Sequence, residues 1–497
     1  MSYKLTNEQQ AIVDFISNPT DTLLKVQAVA GASKTTTLTE AAKQLQLSHP
    51  GKEFKYLIFG RAASEEARTA FGTNAVVSTI HQLAYAHTIR TSNMNVSRKG
   101  YLSYHDVPKS IKRPFGIDYN VFQLINQFTS SRFLELGQFI NDFPRTERPS
   151  TDMVHYARLY MNHMLKGTMP CTHDFYLKVF HRKLMNGNLQ LDEVDVLAVD
   201  EAQDLTPITL DIFDNYPAKL KVVVGDEFQS IFGWMGCINA FEYYAGQGTT
   251  LQLTKSFRVN VADAKLIQNF TNSTFAPDMV FEGFDSPEPT NPSYAYLTRT
   301  NSELIAKMME LNKCGTPYKL SSTTKVDQMF KLPLGILYLK PGYNQKSPEL
   351  MDLQKDVDNW HSSHKLKRLY KNKYTMLLGL HKGNSTIEQA VKLVLQCKDT
   401  DALIAAREAA EAHKKSSANL SLMTVHTAKG GTFTHVELDD GIGKSIDDTL
   451  ALLRTGNHTL TATERESLMI AYVAVTRHTA TLKNADFLYQ GGANDTD

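Results

Sequence analysis

Two short segments gather the residue types that handle phosphate. In the first, an apolar run at 22–28 leads into Val29-Ala30-Gly31-Ala32-Ser33-Lys34-Thr35-Thr36 and then into a helical pattern over 35–47. Strand, tight loop and helix N-terminus in that order point successive backbone N–H groups at an anion. In such a loop the lysine, here Lys34, reaches the β- and γ-phosphate oxygens, and the hydroxyl after it, Thr35, ligates Mg²⁺. Ala30, Gly31, Ala32, Ser33 and Thr36 supply the rest of the cradle. The match to GxxxxGK[ST] is incomplete, because Ala28 and Ser33 stand where that pattern has glycine. A Cβ at position 33 is tolerable only in a backbone conformation that a non-glycine residue can reach. Read alone, the segment is equally an ordinary strand–turn–helix.

The second segment supplies the carboxylates. An apolar strand pattern at 194–200 ends in Asp200-Glu201-Ala202-Gln203-Asp204, and ligands of α/β sheets gather outside the carboxyl ends of strands. Asp200 there holds Mg²⁺, directly or through water, and Glu201 orients and deprotonates an attacking water. The alternative is a solvated strand end carrying two acids.

Positioning such groups takes a sheet. Strand patterns recur at 22–28, 56–60, 194–200, 220–226, 294–300, 421–426 and 435–439, several apolar almost throughout, as suits parallel strands covered on both faces. Helical patterns at 35–47 and 64–71 give the alternation of a doubly wound α/β fold. A chain of 497 residues exceeds what one hydrophobic core supports, so at least two are expected. Stretches 86–170 and 325–415 carry helix-compatible sequence without chemistry-bearing motifs and read as insertions into two sheet domains. The tail 491–497 is small and polar and is expected to fray.

Bulk properties name no partner: 53 basic and 52 acidic side chains nearly cancel. A nucleic-acid binder with this balance gathers its positive charge in a groove. Cys171, Cys237, Cys314 and Cys397 lack zinc-ligand spacing and fit free thiols in a reducing compartment. No apolar run approaches the roughly 18 residues that span a bilayer. The expectation is a soluble intracellular chain, in cytoplasm, nucleoid or nucleus, with no membrane partner.

These segments and their order resemble the UvrD-like superfamily 1 DNA helicases, and most closely the branch that includes the F-box DNA helicases. The resemblance runs over most of the chain. Leu5-Thr6-Asn7-Glu8-Gln9 is similar to the family's Q motif and implies that Gln9 reads the adenine edge. Phe59-Gly60-Arg61-Ala62 and Thr79-Ile80-His81-Gln82-Leu83-Ala84-Tyr85 are similar to two strand-contacting segments and imply that Phe59, Arg61, His81 and Tyr85 touch DNA. The segment from Val224 to Phe232 resembles motif III, with Gln229 sensing the γ-phosphate and Trp234 stacking on a base. Leu253-Thr254-Lys255-Ser256-Phe257-Arg258 resembles motif IV, with Phe257 on the adenine and Arg258 on phosphate. Motif V maps to Thr424, His426 and Lys429 as DNA contacts, and motif VI ends at Arg477, a second arginine for the γ-phosphate. For His81, His426 and the single arginines, a purely structural role is the ordinary alternative.

The resemblance implies two RecA-like parallel-sheet domains with mainly helical inserted subdomains. The first spans 1–85 and 171–252 with an insertion at 86–170, and the second spans 253–324 and 416–490 with an insertion at 325–415. ATP with Mg²⁺ held between them implies closure and reopening that drive 3′→5′ movement on single-stranded DNA and unwinding at duplex junctions. RNA is not excluded, and protein partners are not specified. A nucleotide-gated clamp and a protein-stripping translocase with little unwinding are the alternatives. Repair, recombination and replication are all compatible settings. Three departures bear on these roles: Ser33; Met235, where the family has arginine; and Gly431-Thr432, which lacks a carboxylate expected near the ribose. The run 364–373 interleaves cations with Leu and Tyr and reads either as a duplex-phosphate surface or as a solvated helix face.

Overall fold

The computed structural model describes residues 4–490 apart from positions 59, 60, 99, 114, 288, 342–347, 383, 398 and 399. The tail expected at 491–497 lies outside the described residues. The chain divides into two compact units, Met1–Thr254 and Lys255–Asp497.

In the first unit six strands form one sheet: β1 Leu23–Ala28, β2 Phe54–Ile58, β3 Val76–Thr79, β4 Val194–Val199, β5 Ala218–Gly225 and β6 Thr249–Leu253. Their order is β3-β2-β4-β5-β1-β6, and every pairing is parallel. Parallel strands all end on the same side, so the loops after β1, β4 and β5 emerge together. The register sets Gln27 beside Gly225 and Val199 beside Val223, which brings those three strand ends level. Helix Lys34–Ser48 follows β1, and helix Asn7–Ser17 precedes it, closed by a capping box between Thr6 and Gln9.

The stretch 86–170 is helical where it carries regular structure, and its core is continuous with that of the sheet. Val121, Phe128 and Tyr160 share one buried cluster with Leu197 and Phe213. This stretch thus buries its apolar faces within the first unit instead of forming a separate core.

The second unit holds β7 Tyr294–Thr298, β8 Lys319–Leu320, β9 Leu420–Thr424, β10 Phe433–Leu438 and β11 His478–Lys483, ordered β11-β10-β7-β9-β8 and all parallel. Helix Ala462–Val475 is buried without interruption from Ser467 to Val475, which accounts for a sequence apolar on all sides. Within 325–415, helices close a small core around Ile336, Leu353, Val357, Leu377 and Val391. The fold class is α/β with two RecA-like parallel sheets. No helix among the described residues is long and apolar enough to cross a membrane.

Candidate active site

The loop after β1 turns through Gly31 at φ 79° and Ser33 at φ 59°, ψ 41°, then enters helix Lys34–Ser48. Ser33 is therefore a non-glycine residue in the left-handed region, a conformation that costs on the order of 1 kcal/mol. Its side chain forms no capping hydrogen bond, so the hydroxyl does not offset that cost by capping the helix. Ala30 and Ala32 are buried, Lys34 and Thr35 are half-buried and Thr36 is exposed.

Lys34 Nζ lies 3.8 Å from Glu201 Oε1. Glu201 is itself left-handed at φ 50°, and its other oxygen accepts from Gln203 Nε2 at 2.5 Å. Asp200, 5% exposed, accepts at Oδ1 from the Glu201 N–H at 2.8 Å and at Oδ2 from the Tyr56 hydroxyl at 2.6 Å. Burial and then the neighbouring Glu201 charge push the Asp200 carboxyl up, while Lys34 pulls the other way. Burial, followed by Asp200, raises the Tyr56 phenol well above its usual value, and the nearby Thr35 side chain works in the opposite direction. Tyr56 thus braces the carboxylate singled out as a Mg²⁺ ligand, next to the Thr35 side chain.

A second chain of contacts leads from Glu201 to the loop after β5. Gln203 is fully buried; its carbonyl oxygen accepts from Ser230 Oγ at 3.0 Å. A Cβ on Gly225 would sit 2.1 Å from Gln203 Oε1, so glycine there is what allows the amide to lie against β5. Gln229, 5% exposed, donates from Nε2 to Asp226 Oδ2 at 2.8 Å. Gln9 is 1% exposed; its Oε1 accepts from the Thr6 N–H at 3.0 Å, and its Nε2 is buried with no hydrogen-bond partner among the described residues. An orphaned amide donor is costly and fits a ligand acceptor such as an adenine edge. The residues present therefore fit ATP and Mg²⁺: a lysine on a helix N-terminus, a braced carboxylate beside a hydroxyl and an unsatisfied donor.

In the second unit Arg258 and Arg477 meet at Thr476. Arg258 Nη1 donates to the Thr476 carbonyl at 3.2 Å. Arg477, 1% exposed, donates from Nε to the Val473 carbonyl, from Nη1 to the Gly431 carbonyl and from Nη2 to Thr476 Oγ1, at 2.9, 3.4 and 2.9 Å. His478 adjoins it, with Nδ1 facing the Val475 carbonyl at 2.9 Å and Nε2 facing Asp263 at 2.8 Å. Phe257 is half-buried and its ring centroid lies 5.7 Å from that of Phe284, an aromatic that no motif marked. Lys255 Nζ stands 5.8 and 5.5 Å from the two rings.

The DNA-contact expectations scatter more. Phe59 lies outside the described residues, as do the side chains of Arg61 and Trp234. His81 and Tyr85 both stand edge-on to Tyr176, at 6.1 and 5.8 Å between centroids, and His81 Nε2 is 3.5 Å from Asp174. Tyr85 is 40% exposed. Thr424 caps the short helix Val425–Ala428, which carries His426, and half-buried Lys429 follows it. Met235 is exposed. In the basic run, helix His364–Leu369 buries none of its residues, whereas Lys373 donates to the Leu337 and Leu339 carbonyls.

Sequence reasoning missed Tyr56 and Gln203. Tyr56 reads as a core aromatic inside a strand. Gln203 carried a weak signal, standing two residues beyond the proposed base.

A parallel sheet with a lysine-bearing loop after one strand and paired acids after its neighbour but one defines a P-loop nucleotide-binding protein. Residues 9–234 match the family model described as AAA domain. F-box DNA helicase protein 1 of Schizosaccharomyces pombe is 26% identical over 528 residues, an alignment covering 95% of this chain and 56% of that protein. F-box DNA helicase 1 of Gallus gallus is 28% identical over 280 residues, covering 51% of this chain and 26% of that protein. The chain is thus similar to these DNA helicases, in the first case over nearly all of its length. It spans about half the length of the first of these relatives and matches about a quarter of the second.

Proposed function

We propose that the chain hydrolyses ATP to move 3′→5′ along single-stranded DNA and to open duplex junctions. The observation that carries this reading is the bracing of Asp200 by Tyr56 beside the Lys34–Glu201 pair. It is supported by the relatives, whose names describe DNA helicases.

Bound ATP and Mg²⁺ supply a phosphoryl group for transfer to water, with the metal screening its charge. Lys34 and the loop from Ala30 to Thr36 hold the phosphates, and Thr35 and Asp200 hold the metal. Glu201, oriented through Gln203, accepts the proton of the attacking water at a carboxylate oxygen. Gln229 reports the γ-phosphate through Asp226. Arg258 and Arg477 stabilise charge on the transferring group, a role whose loss costs on the order of 10³–10⁵ in rate. Gln9 and Phe257 select the base. Phe59, Arg61, His81, Tyr85, Trp234, Thr424, His426 and Lys429 serve the strand, through phosphate contacts and stacking. The helical stretches 86–170 and 325–415 act as inserted subdomains of the two sheet units.

ATP turnover measured with and without single-stranded DNA tests the proposal. Wild type is stimulated by DNA, and Lys34→Ala is inert. Equal inertness of both favours the clamp reading, for which the strained Ser33 loop is the supporting observation. Partial duplexes with a 3′ or a 5′ single-stranded tail test polarity, and opening from the 5′ tail alone reverses it.

A further inference from the structure

Away from the nucleotide site, helices of the first unit between Phe115 and Met185 line an open pocket of about 320 Å³. Its lining mixes polar and apolar surface in about equal parts, with Phe128 and Phe175 among the walls, and its lining charges do not balance. Arg158, Lys178 and Arg182 face a single carboxylate, Glu135.

Lys178 is 1% exposed. Lysine is almost never fully buried without a compensating partner. Here Nζ donates to the Ser131 carbonyl at 2.5 Å and lies 4.8 Å from the Phe128 ring centroid. Burial, and then the Arg182 charge, bring its pKa down to about 7, with Asp211 working in the opposite direction. Arg182 gives Nη2 to Glu135 at 2.5 Å, while its Nε is buried with no acceptor among the described residues. Arg182 Nε is thus a buried donor without an acceptor among the described residues, and Lys178 Nζ is held by a carbonyl and not by a carboxylate.

We propose that this cavity is a binding site for a small organic anion, a carboxylate or phosphate carried on an aromatic or branched apolar body. The head neutralises the surplus charge and supplies an acceptor for Arg182 Nε, while the body covers the aromatic walls. The volume falls at the lower end of the roughly 300–1,000 Å³ of small-molecule sites. An anion beside Lys178 favours its ammonium form, so binding takes up a proton near neutral pH. Nothing in this site depends on the ATPase reading.

Pyridoxal 5′-phosphate is a suitable probe, since it combines an anionic head, an aromatic ring and an aldehyde. The unprotonated Lys178 amine adds to the aldehyde carbon and the adduct loses water to form an imine. Borohydride then delivers hydride to the imine carbon and solvent supplies a proton to nitrogen, leaving a stable secondary amine that peptide mass spectrometry locates. The experiment uses the full chain with saturating Mg·ATP, so that Lys34 is shielded and is in any case mapped separately. Labelling of Lys178 at least tenfold above the average exposed lysine is expected. It falls at least fivefold with excess benzoate and in Arg182→Ala, and the site label is absent from Lys178→Met. Arg158→Ala, at an exposed position, repeats the test without disturbing the core. Labelling of Lys178 no greater than that of exposed lysines overturns the proposal. So does labelling unchanged by benzoate and by both arginine variants, which would mark a reactive amine without an anion site.

Discussion

Replacing Tyr56 with phenylalanine removes one hydroxyl and little else. The ring stays packed 4.7 Å from Phe71, and position 56 remains fully buried. What disappears is the 2.6 Å bond to Asp200 Oδ2 and the contact with the Thr35 side chain. A hydrogen bond to a charged group is worth roughly 1.5–3 kcal/mol when one partner is removed. The upper half of that range is expected, because Asp200 is 5% exposed and water cannot readily replace the lost donor. Urea denaturation of Tyr56→Phe, Asp200→Asn and the double variant measures this, with ΔΔG taken from whichever transition moves, since a two-unit chain need not unfold in one step. A coupling energy of about 1–3 kcal/mol between the two positions is expected. Mg²⁺-dependent nucleotide binding weakens in parallel, because the same hydroxyl positions the proposed ligand Asp200. Additive single variants, each costing under about 0.5 kcal/mol, would refute the idea that Tyr56 holds the carboxylate.

Ser33→Gly relieves the left-handed strain and raises the unfolding midpoint by the equivalent of about 1 kcal/mol; a lower midpoint contradicts the strain. Gly225→Ala forces Gln203 away from β5, since the new Cβ falls 2.1 Å from its Oε1. Thermal melts should show a loss of about 1–3 kcal/mol, and ATP turnover should fall with it as Glu201 loses its brace. Asp263→Asn probes the support behind Arg477. The Asp263 carboxyl lies below its ordinary value, chiefly because His478 donates to it, with burial opposing. A folded-state pKa below the unfolded value, about 3.9, gives stability that is present above that value and is lost as pH falls through the folded one. The variant is therefore less stable than wild type at pH 7, and the gap closes toward pH 3; a constant gap in melting temperature over that range would show that the ionised carboxylate does not contribute.

Seven strands were legible as apolar runs, and they are the seven that have neighbours on both sides: β1, β2, β4 and β5 in one sheet, β7, β9 and β10 in the other. The four that escaped, β3, β6, β8 and β11, are the four sheet edges. The physics explains the division. A central parallel strand is covered by helices on both faces and reads as continuous Val, Leu and Ile. An edge strand keeps one side toward solvent and must discourage further pairing, so it carries polar residues, as in Thr249–Leu253 and His478–Lys483. The stretch 86–170 was legible as helix-compatible, but its shared core with the sheet was not, because periodicity shows which face is apolar and not what covers it.

The site divides along the same line. Lys34, Asp200 and Glu201 could be read because chemistry fixes both their type and their place at a strand end, and the structure brings the three together within one loop cluster. Tyr56 could not, since a buried aromatic in a strand is indistinguishable from core until its hydroxyl is seen to face a carboxylate. Arg477 shows a further gap between type and state. Its motif names a guanidinium for phosphate, yet in this structure Nε, Nη1 and Nη2 each donate to the end of its own helix or to Gly431. Engaging a phosphate therefore means exchanging some of these bonds, and the cost of that exchange depends on how firmly Thr476 and His478 hold the turn. Such costs are set by partners distant in sequence, Asp263 and Arg258 among them, which is why a motif can assign a residue to a reaction without revealing how readily it acts.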